Sequence, residues 1–358
     1  MMGLTNTSMG TKLLEKNNNK VNFDYTVAIA GNPNVGKSTI FNSLTGLHQH
    51  TGNWPGKTVA NAKGLCNFNK KNFLLVDIPG TYSIMSHSEE EEIARDYICF
   101  DKPDATVVIL DATCLERNLN LVFQIMEITP NVIVCINLLD EAKKKGIKID
   151  LDALQNLLGV PVVGTIARKP KTLQKLLKTI HDVCTGEIKV FPKQVKYSPI
   201  IEDSINLLIP ELKEDYISRW IALKILDGDE KILKSIQSKF NINLDSDNII
   251  RKRIQIQNML ENNNINTYNI KDTIISHIVF RAETIAKDVC SYDNENYSLK
   301  QRKIDKILTS KKFGIPIMLI FLGVILWITI VGANYPSSLL TRFFWMVRWQ
   351  NKQLIYFA

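Results

Sequence analysis

The sequence predicts an α/β domain on a mostly parallel sheet, followed by an all-α domain and one apolar helix of membrane-spanning length. Three observations carry this. Short Val- and Ile-rich runs alternate with helical stretches from residue 25 to about residue 188, such runs largely stop beyond it, and residues 313–331 hold no charge. The chain has 358 residues, room for two or three domains at roughly 100–200 residues each, and its 45% hydrophobic and 22% charged content excludes a disordered chain.

Residues 1–22 are polar and Asn/Lys-rich, lack the apolar core of a secretory signal, and read as a disordered arm. Within residues 23–188, the runs 26–30, 73–76, 106–110, 132–136 and 160–163 are too short for helices and read as strands. Segments 37–44, 93–100, 115–128 and 173–183 between them have helical periodicity, and the alternation implies a parallel sheet with both faces covered. Residues 189–290 read as the all-α domain, from apolar residues at helical spacing in 217–226, 231–240, 249–260 and 270–289. A basic linker, 291–312, comes next. Lys300, Arg302, Lys303, Lys306, Lys311 and Lys312 crowd its end against Asp305 alone. The nineteen uncharged residues 313–331 are long enough for a transmembrane helix, and the preceding cations place the larger N-terminal part on the cytoplasmic side. Residues 332–358 form an aromatic and basic tail with too many charges and amides for a second span.

The six cysteines are scattered without a CxxC pair, so neither a disulfide framework nor a Cys-rich zinc site is signalled, which fits a reducing compartment. A net charge of +8 suits nucleic acid or an anionic membrane equally, but the basic segment abuts the apolar run, which favours the membrane.

Gly31-Asn32-Pro33-Asn34-Val35-Gly36-Lys37-Ser38 fits GxxxxGK[ST] between a predicted strand and a predicted helix. The glycines let successive N–H groups turn inward on phosphates, the helix N-terminus adds favourable potential, Lys37 supplies a point charge and Ser38 a ligand for Mg²⁺. Asp77-Ile78-Pro79-Gly80 ends the next strand of the set, giving a carboxylate for Mg²⁺ through water and a Gly80 N–H for a γ-phosphate. Asn137-Leu138-Leu139-Asp140 ends another. Asp140 can accept from the two N–H donors of guanine, a pair that adenine lacks. Taken alone, NxxD is as well read as a helix cap; after a P-loop and DxPG it selects GTP. Thr165-Ile166-Ala167 could place backbone N–H groups around the base, and Thr58, in a Gly/Asn/Pro-rich loop, could close on Mg²⁺ as a switch.

GNPNVGKSTIFNSLTG, TGNWPGKTV (51–59), DIPGTYS (77–83) and NLLD together resemble the G domain of the bacterial ferrous iron transport protein B family, FeoB. Asn53-Trp54-Pro55-Gly56 and Thr81-Tyr82-Ser83 are the most specific elements, and the likeness continues in architecture to residue 331. The resemblance implies a GTPase with GTP/GDP and Mg²⁺, with Lys37, Thr58 and Gly80 catalytic and Thr39 and Gly56 added to the nucleotide contacts. It favours Thr58 over Thr51 as the switch residue. It also implies K⁺ beside the phosphates, held by Asn34 and the backbone at Gly52 and Trp54, in the place of an arginine finger. Thr81 stands where Ras-like enzymes have a water-positioning glutamine, so intrinsic turnover is expected to be slow and K⁺-stimulated.

The same resemblance implies a membrane-anchored GTPase of the bacterial cytoplasmic membrane that gates or regulates Fe²⁺ uptake. Guanine nucleotide and the lipid bilayer are its expected partners, with other iron-uptake proteins or a self-oligomer beside them and no nucleic acid. The helical domain resembles the family's segment that modulates nucleotide release, with a mere spacer as the alternative reading. Family members continue into many membrane helices, so this chain reads as a truncated transporter whose one span cannot enclose a polar path. A GTPase of ribosome or RNA maturation is the competing reading, against which the apolar run and the NWPG segment weigh.

Overall fold

The structure is a computed structural model that describes residues 22–46, 49–54, 57–85, 88–212, 216–263, 270–292, 307–308, 310 and 313–332. It divides into two units, 1–293 and 294–358. The first begins with strand β1 (Tyr25–Gly31) and helix α1 (Lys37–Thr45), followed by β2 (Gln49–Asn53), β3 (Ala60–Phe68) and β4 (Lys71–Asp77). Helix α2 (Glu89–Asp96) runs into a π turn, Tyr97–Asp101. Next come β5 (Ala105–Asp111), α3 (Leu115–Ile128), β6 (Val132–Asn137), α4 (Leu139–Lys144), β7 (Ile147–Ile149), α5 (Leu151–Leu158), β8 (Val162–Gly164) and α6 (Pro170–Cys184).

These strands, β7 excepted, form one sheet in the order β2-β3-β4-β1-β5-β6-β8. The pairs from β4 to β8 are parallel, whereas β2–β3 and β3–β4 are antiparallel. Side chains alternate between the faces. Val27 and Ile29 of β1 share one core cluster with Ile40 and Phe41 of α1 and Leu176 and Ile180 of α6, while Ala28 and Ala30 join the other with Leu119, Val122 and Phe123 of α3. Register aligns the carboxyl ends: Ile29 lies opposite Asp77, Gly31 opposite Ile109, Asp111 opposite Asn137 and Ile136 opposite Gly164. Chain order reverses at β1, and crevices at such a switch point are where open α/β sheets bind ligands.

The helical segment comprises α7 (Pro199–Leu212), α8 (Ser218–Asp227), α9 (Glu230–Phe240), α10 (Asp247–Asn262) and α11 (Ile270–Val289). Its core is continuous with that on the α3 face of the sheet. That continuity explains why α3 buries residues on every side. After α11, β9 (Cys290–Tyr292) pairs antiparallel with β7, tying the end of the segment to the α/β part. Between α3 and the helical segment, Arg219 donates to Glu127 at 3.2 Å, to Glu202 at 2.8 Å and to the Val195 carbonyl at 2.9 Å, while Tyr197 donates to Glu127 at 3.3 Å.

The antiparallel β2–β3 extension, the β7–β9 pair and helices α4, α5 and α7 are additions to the expected elements. Strand β3, ANAKGLCNF, lacks an apolar run; it is a strand because β4 pairs along seven of its residues.

In the second unit the predicted 313–331 helix is divided. An α-helix, α12 (Gly314–Trp327), gives way to a π turn, Ile328–Gly332. The Thr329 hydroxyl donates to the Ile325 carbonyl at 2.8 Å within a β-branched run, a back-bond that loosens helical geometry. Its large apolar residues are exposed, Ile320 at 66% and Trp327 at 65%. Among the described residues no helix is long and apolar enough to cross a membrane.

Burial pushes the Glu127 carboxyl up from 4.5 to about 7, outweighing the Arg219 guanidinium beside it. Between those values the folded chain holds a proton that the unfolded chain has lost, so this group's contribution to stability falls as pH rises through that window. Denaturant titrations of wild type and Glu127→Gln should therefore diverge between pH 4.5 and about 7, the wild type losing on the order of 3 kcal/mol relative to the variant. Parallel pH profiles would remove Glu127 as the cause.

Candidate nucleotide site

The carboxyl edge of the sheet gathers the motif residues. At the end of β1 a Cβ on Gly31 would stand 2.6 Å from the Ile109 carbonyl oxygen, so only glycine permits this approach. Asn34 and Gly36 both have left-handed backbone, φ 67° and 86°. That alternation bends the turn so that α1 starts at Lys37 without a capping side chain and without an acid in its first turn. The leading N–H groups of α1 thus face an anion site with no built-in competitor. Ser38 and Thr39 lie in that first turn, both exposed.

Lys37 Nζ pairs with the Asp77 carboxylate at the end of β4. Burial raises the Asp77 carboxyl above its ordinary value while Lys37 draws it back. Gly80 lies against the P-loop, its Cβ position 3.5 Å from Pro33, and the Thr81 N–H donates to the Gly31 carbonyl at 3.3 Å. Asn32 is 2% exposed, and neither its amide nitrogen nor its oxygen has a hydrogen-bond partner among the described residues.

Asn137 is fully buried at the end of β6. Its Nδ2 donates to the Val35 carbonyl at 3.0 Å, and its Oδ1 accepts from the Ala167 N–H at 3.2 Å. A Cβ on Gly36 would meet that Nδ2 at 2.4 Å. Leu138 carries the chain on in left-handed backbone, φ 60°, unusual for a branched side chain, and Asp140 follows in the first turn of α4.

The 165–167 segment differs from expectation. Thr165 N–H donates to the Ile136 carbonyl, Ile166 N–H to the Thr172 hydroxyl and Ala167 N–H to Asn137. All three are engaged within the protein, so the segment braces the Asn137 corner. The fully buried Thr165 hydroxyl points inward, donating to the Ile136 carbonyl at 3.3 Å.

The other expected residues lie further along the β2–β3 side. Gly52 is exposed in β2, and half-buried Trp54 packs edge-on against Tyr97 with ring centroids 5.3 Å apart. The Trp54 N–H donates to the Val59 carbonyl at 2.9 Å, while its indole N–H is buried without a partner among the described residues. Thr58 donates its hydroxyl to Glu89 of α2 at 3.1 Å, and Lys57 reaches Glu92 at 3.4 Å. Lys231 of α9 pairs with Glu92 from the other side. Gly56 lies outside the described residues. Sequence reasoning missed this acidic anchor; its one signal was the run Glu89–Glu92 at a helix N-terminus, which reads as favourable capping charge.

Two family models match successive parts of the chain. Residues 25–180 match the family described as Ferrous iron transport protein B, and residues 197–291 match the FeoB cytosolic helical domain. The Fe(2+) transporter FeoB of Staphylococcus aureus (strain MSSA476) is 32% identical over 315 residues, covering 87% of this chain and 45% of the relative. For the Fe(2+) transporter FeoB of Escherichia coli O157:H7 the figures are 31% over 323 residues, 87% and 39%. The chain therefore spans less than half the length of these relatives. Among solved structures, a GDP-bound mutant of the S. thermophilus FeoB G-domain is 30% identical at a TM-score of 0.66, covering 75% of this chain and 100% of that one. The GMPPNP form of the cytosolic domain of the T. maritima FeoB iron transporter is 31% identical at 0.59, covering 75% and 99%.

Removing the Asn137 amide orphans a buried carbonyl and a buried N–H, each worth about 1–3 kcal/mol. Asn137→Ala should lower the thermal midpoint and weaken GDP binding by roughly tenfold or more in calorimetric titration, since about 1.4 kcal/mol is a factor of ten. Unchanged GDP affinity would separate this corner from the nucleotide site.

Proposed function

The chain belongs to the ferrous iron transport protein B family, and from that membership we propose that it is a GTPase anchored in the bacterial cytoplasmic membrane that gates or regulates Fe²⁺ uptake. The observation that carries this reading is the Asn137 corner, which joins the P-loop to the base-side segment. Asp140, one short turn beyond it, accepts the two guanine donors, while Thr165 and Ala167 hold the corner in shape. Gly31, Asn32, Asn34, Val35, Gly36 and Lys37 wrap the phosphates, and the Gly80 N–H meets the terminal one.

The donors present fit Mg²⁺: a Ser38 hydroxyl at an uncapped helix start, together with the Asp77 carboxylate at the end of β4. When bound, Mg²⁺ supplies positive charge to the β- and γ-phosphate oxygens. Lys37 would leave Asp77 for the phosphates, freeing the Asp77 carboxylate to hold Mg²⁺ through water. Thr58 would leave Glu89 to offer its hydroxyl to Mg²⁺, which would make its loop a switch. Asn34, exposed on the P-loop, and the backbone near Gly52 and Trp54 hold K⁺ beside the transferring phosphoryl. Thr81 is buried and its N–H is taken, which favours slow turnover because this residue does not orient water as a glutamine would.

The basic residues 300–312 and the apolar run 313–331, whose described side chains are exposed, favour a membrane anchor with the GTPase and helical parts in the cytoplasm. The iron path belongs to membrane helices beyond this one, because a single helix cannot enclose polar cargo.

Asp140→Asn should lose GTP affinity by roughly a hundredfold and gain XTP affinity, as the replaced acceptor now suits the xanthine edge. In the same hydrolysis assay, wild type should turn over faster in K⁺ than in Na⁺, and Asn34→Ala should lose that difference. Equal GTP binding by Asp140→Asn, or K⁺ stimulation retained by Asn34→Ala, would sink the respective assignment. Membrane fractionation of the chain should leave it in the pellet after high salt and release it with detergent; release by salt alone would reject the anchor.

A further inference from the structure

The end of α6 away from the nucleotide edge carries side chains that the functions above leave unused. His181, Asp182 and Glu187 each bring one ligand atom to a common place, all within 4.8 Å of one another. Local sequence builds this. The helix stops at Cys184, Thr185 N–H donates back to the His181 carbonyl at 2.8 Å, and Gly186 takes left-handed backbone at φ 79°. Ile188 N–H then donates to the Asp182 carbonyl at 2.9 Å, which returns Glu187 to the helix end. The His181 ring is set by edge-on contacts with Phe68 and Phe73, at centroid distances of 5.9 and 6.4 Å. Its Nδ1 and Asp182 Oδ1 are in hydrogen-bond contact at 3.1 Å, a spacing also close to the ~3 Å edge between neighbouring ligands on an octahedral metal with bonds of about 2.1 Å.

Electrostatics points the same way. Two carboxylates stand at the negative end of a helix of fifteen residues, where a cation is favoured and an anion is not. Among the described residues neither carboxylate pairs with a lysine or arginine.

We propose that His181, Asp182 and Glu187 form a binding site for a first-row divalent cation of the Mn²⁺, Fe²⁺, Co²⁺ and Zn²⁺ class. One imidazole nitrogen with two carboxylate oxygens suits these ions and disfavours Mg²⁺ and Ca²⁺, which take oxygen alone. Three protein ligands leave open positions, so the ion exchanges. Helix α6 starts just beyond Ala167, and β4, which carries Phe73, ends at Asp77, so an ion here braces two elements that reach the nucleotide edge. Fe²⁺ as the physiological occupant rests on the proposed iron-uptake function; the site itself does not.

The test uses the full 358-residue chain in detergent, with GDP and excess Mg²⁺ present and Mn²⁺ titrated against the electron paramagnetic resonance signal of the unbound ion. One Mn²⁺ should bind per chain despite the Mg²⁺. His181→Phe keeps an aromatic ring on Phe68 and Phe73 while removing the nitrogen, and Glu187→Gln alters only an exposed carboxylate; each should weaken binding roughly tenfold or more. No Mn²⁺ binding under excess Mg²⁺, or affinity unchanged in His181→Phe, overturns the site. Displacement of Mn²⁺ by anaerobic Fe²⁺ supports iron as the occupant, and failure to displace it removes iron while retaining the site. Failure of the wild-type preparation to bind GTP would reject the proposed function and leave the metal result standing.

Discussion

A single buried amide holds the site together. Asn137 ends β6 and joins two segments from opposite directions, accepting from Ala167 and donating to Val35, which lies 102 residues away in sequence. It can do so only because β6 is in register with β5, and β5 with β1, so that Asp111 and Gly31 end at the same edge. A slip of one residue would turn the amide to the opposite face of the sheet. Gly36 belongs to the same constraint, since any Cβ there collides with the amide. The glycine of one motif and the asparagine of another are therefore one structural unit, and its integrity fixes where the α1 N-terminus points.

The parts of that unit were legible as two motifs, the glycine-rich turn at 31–38 and the asparagine of 137–140, but their joining through the Asn137 amide was not, because it depends on strand register. The parallel strands were legible, being buried on both faces and hence almost wholly apolar. Strand β3 was not, because its strand state comes from pairing with β4, with Gly64 pressed against Thr45, rather than from its own composition. Nor could residues alone reveal that the N–H groups of 165–167 are spent internally, since that depends on the positions of Thr172 and Asn137. For residues 313–331 hydropathy gave the apolar helix, but the back-bond from Thr329 that opens a π turn depends on local geometry. The helical segment was visible from periodicity. Its fusion with the face of α3 was not, because the Arg219–Glu127 contact joins residues 92 apart.

The acidic start of α2 shows how a bland pattern can carry a specific arrangement. Four consecutive glutamates favour a helix N-terminus by charge alone. Two of them do more: Glu89 accepts from Thr58, and Glu92 takes Lys57 from the β2–β3 side and Lys231 from the helical segment. The Lys231 ammonium is the main reason the Glu92 carboxyl lies below its ordinary value. Glu92 is buried, but the Lys231 side chain stands in solvent, which screens that pair and limits what it adds to global stability. The effect of these contacts is positional, since the loop bearing Thr58 and the helix bearing Lys231 meet on the same short stretch of α2.

This arrangement gives the nucleotide cycle a definite energetic form. Lys37 and Asp77, both assigned to the phosphate and metal side of the site, are each other's partner, and Thr58 is held by Glu89. On the proposed function, bound GTP with its metal would therefore exchange partners rather than fill an empty cradle. Each exchange replaces one charge-assisted contact by another, so the net gain per contact is smaller than a count of phosphate contacts would suggest. The exchange at Thr58 also has a second end. Releasing it leaves Glu89 to Lys57 alone, within 3.9 Å, and Lys57 shares Glu92 with Lys231. With Thr58 as the proposed switch residue, Glu89, Lys57 and Glu92 would link the γ-phosphate side to Lys231 of α9 through three side chains.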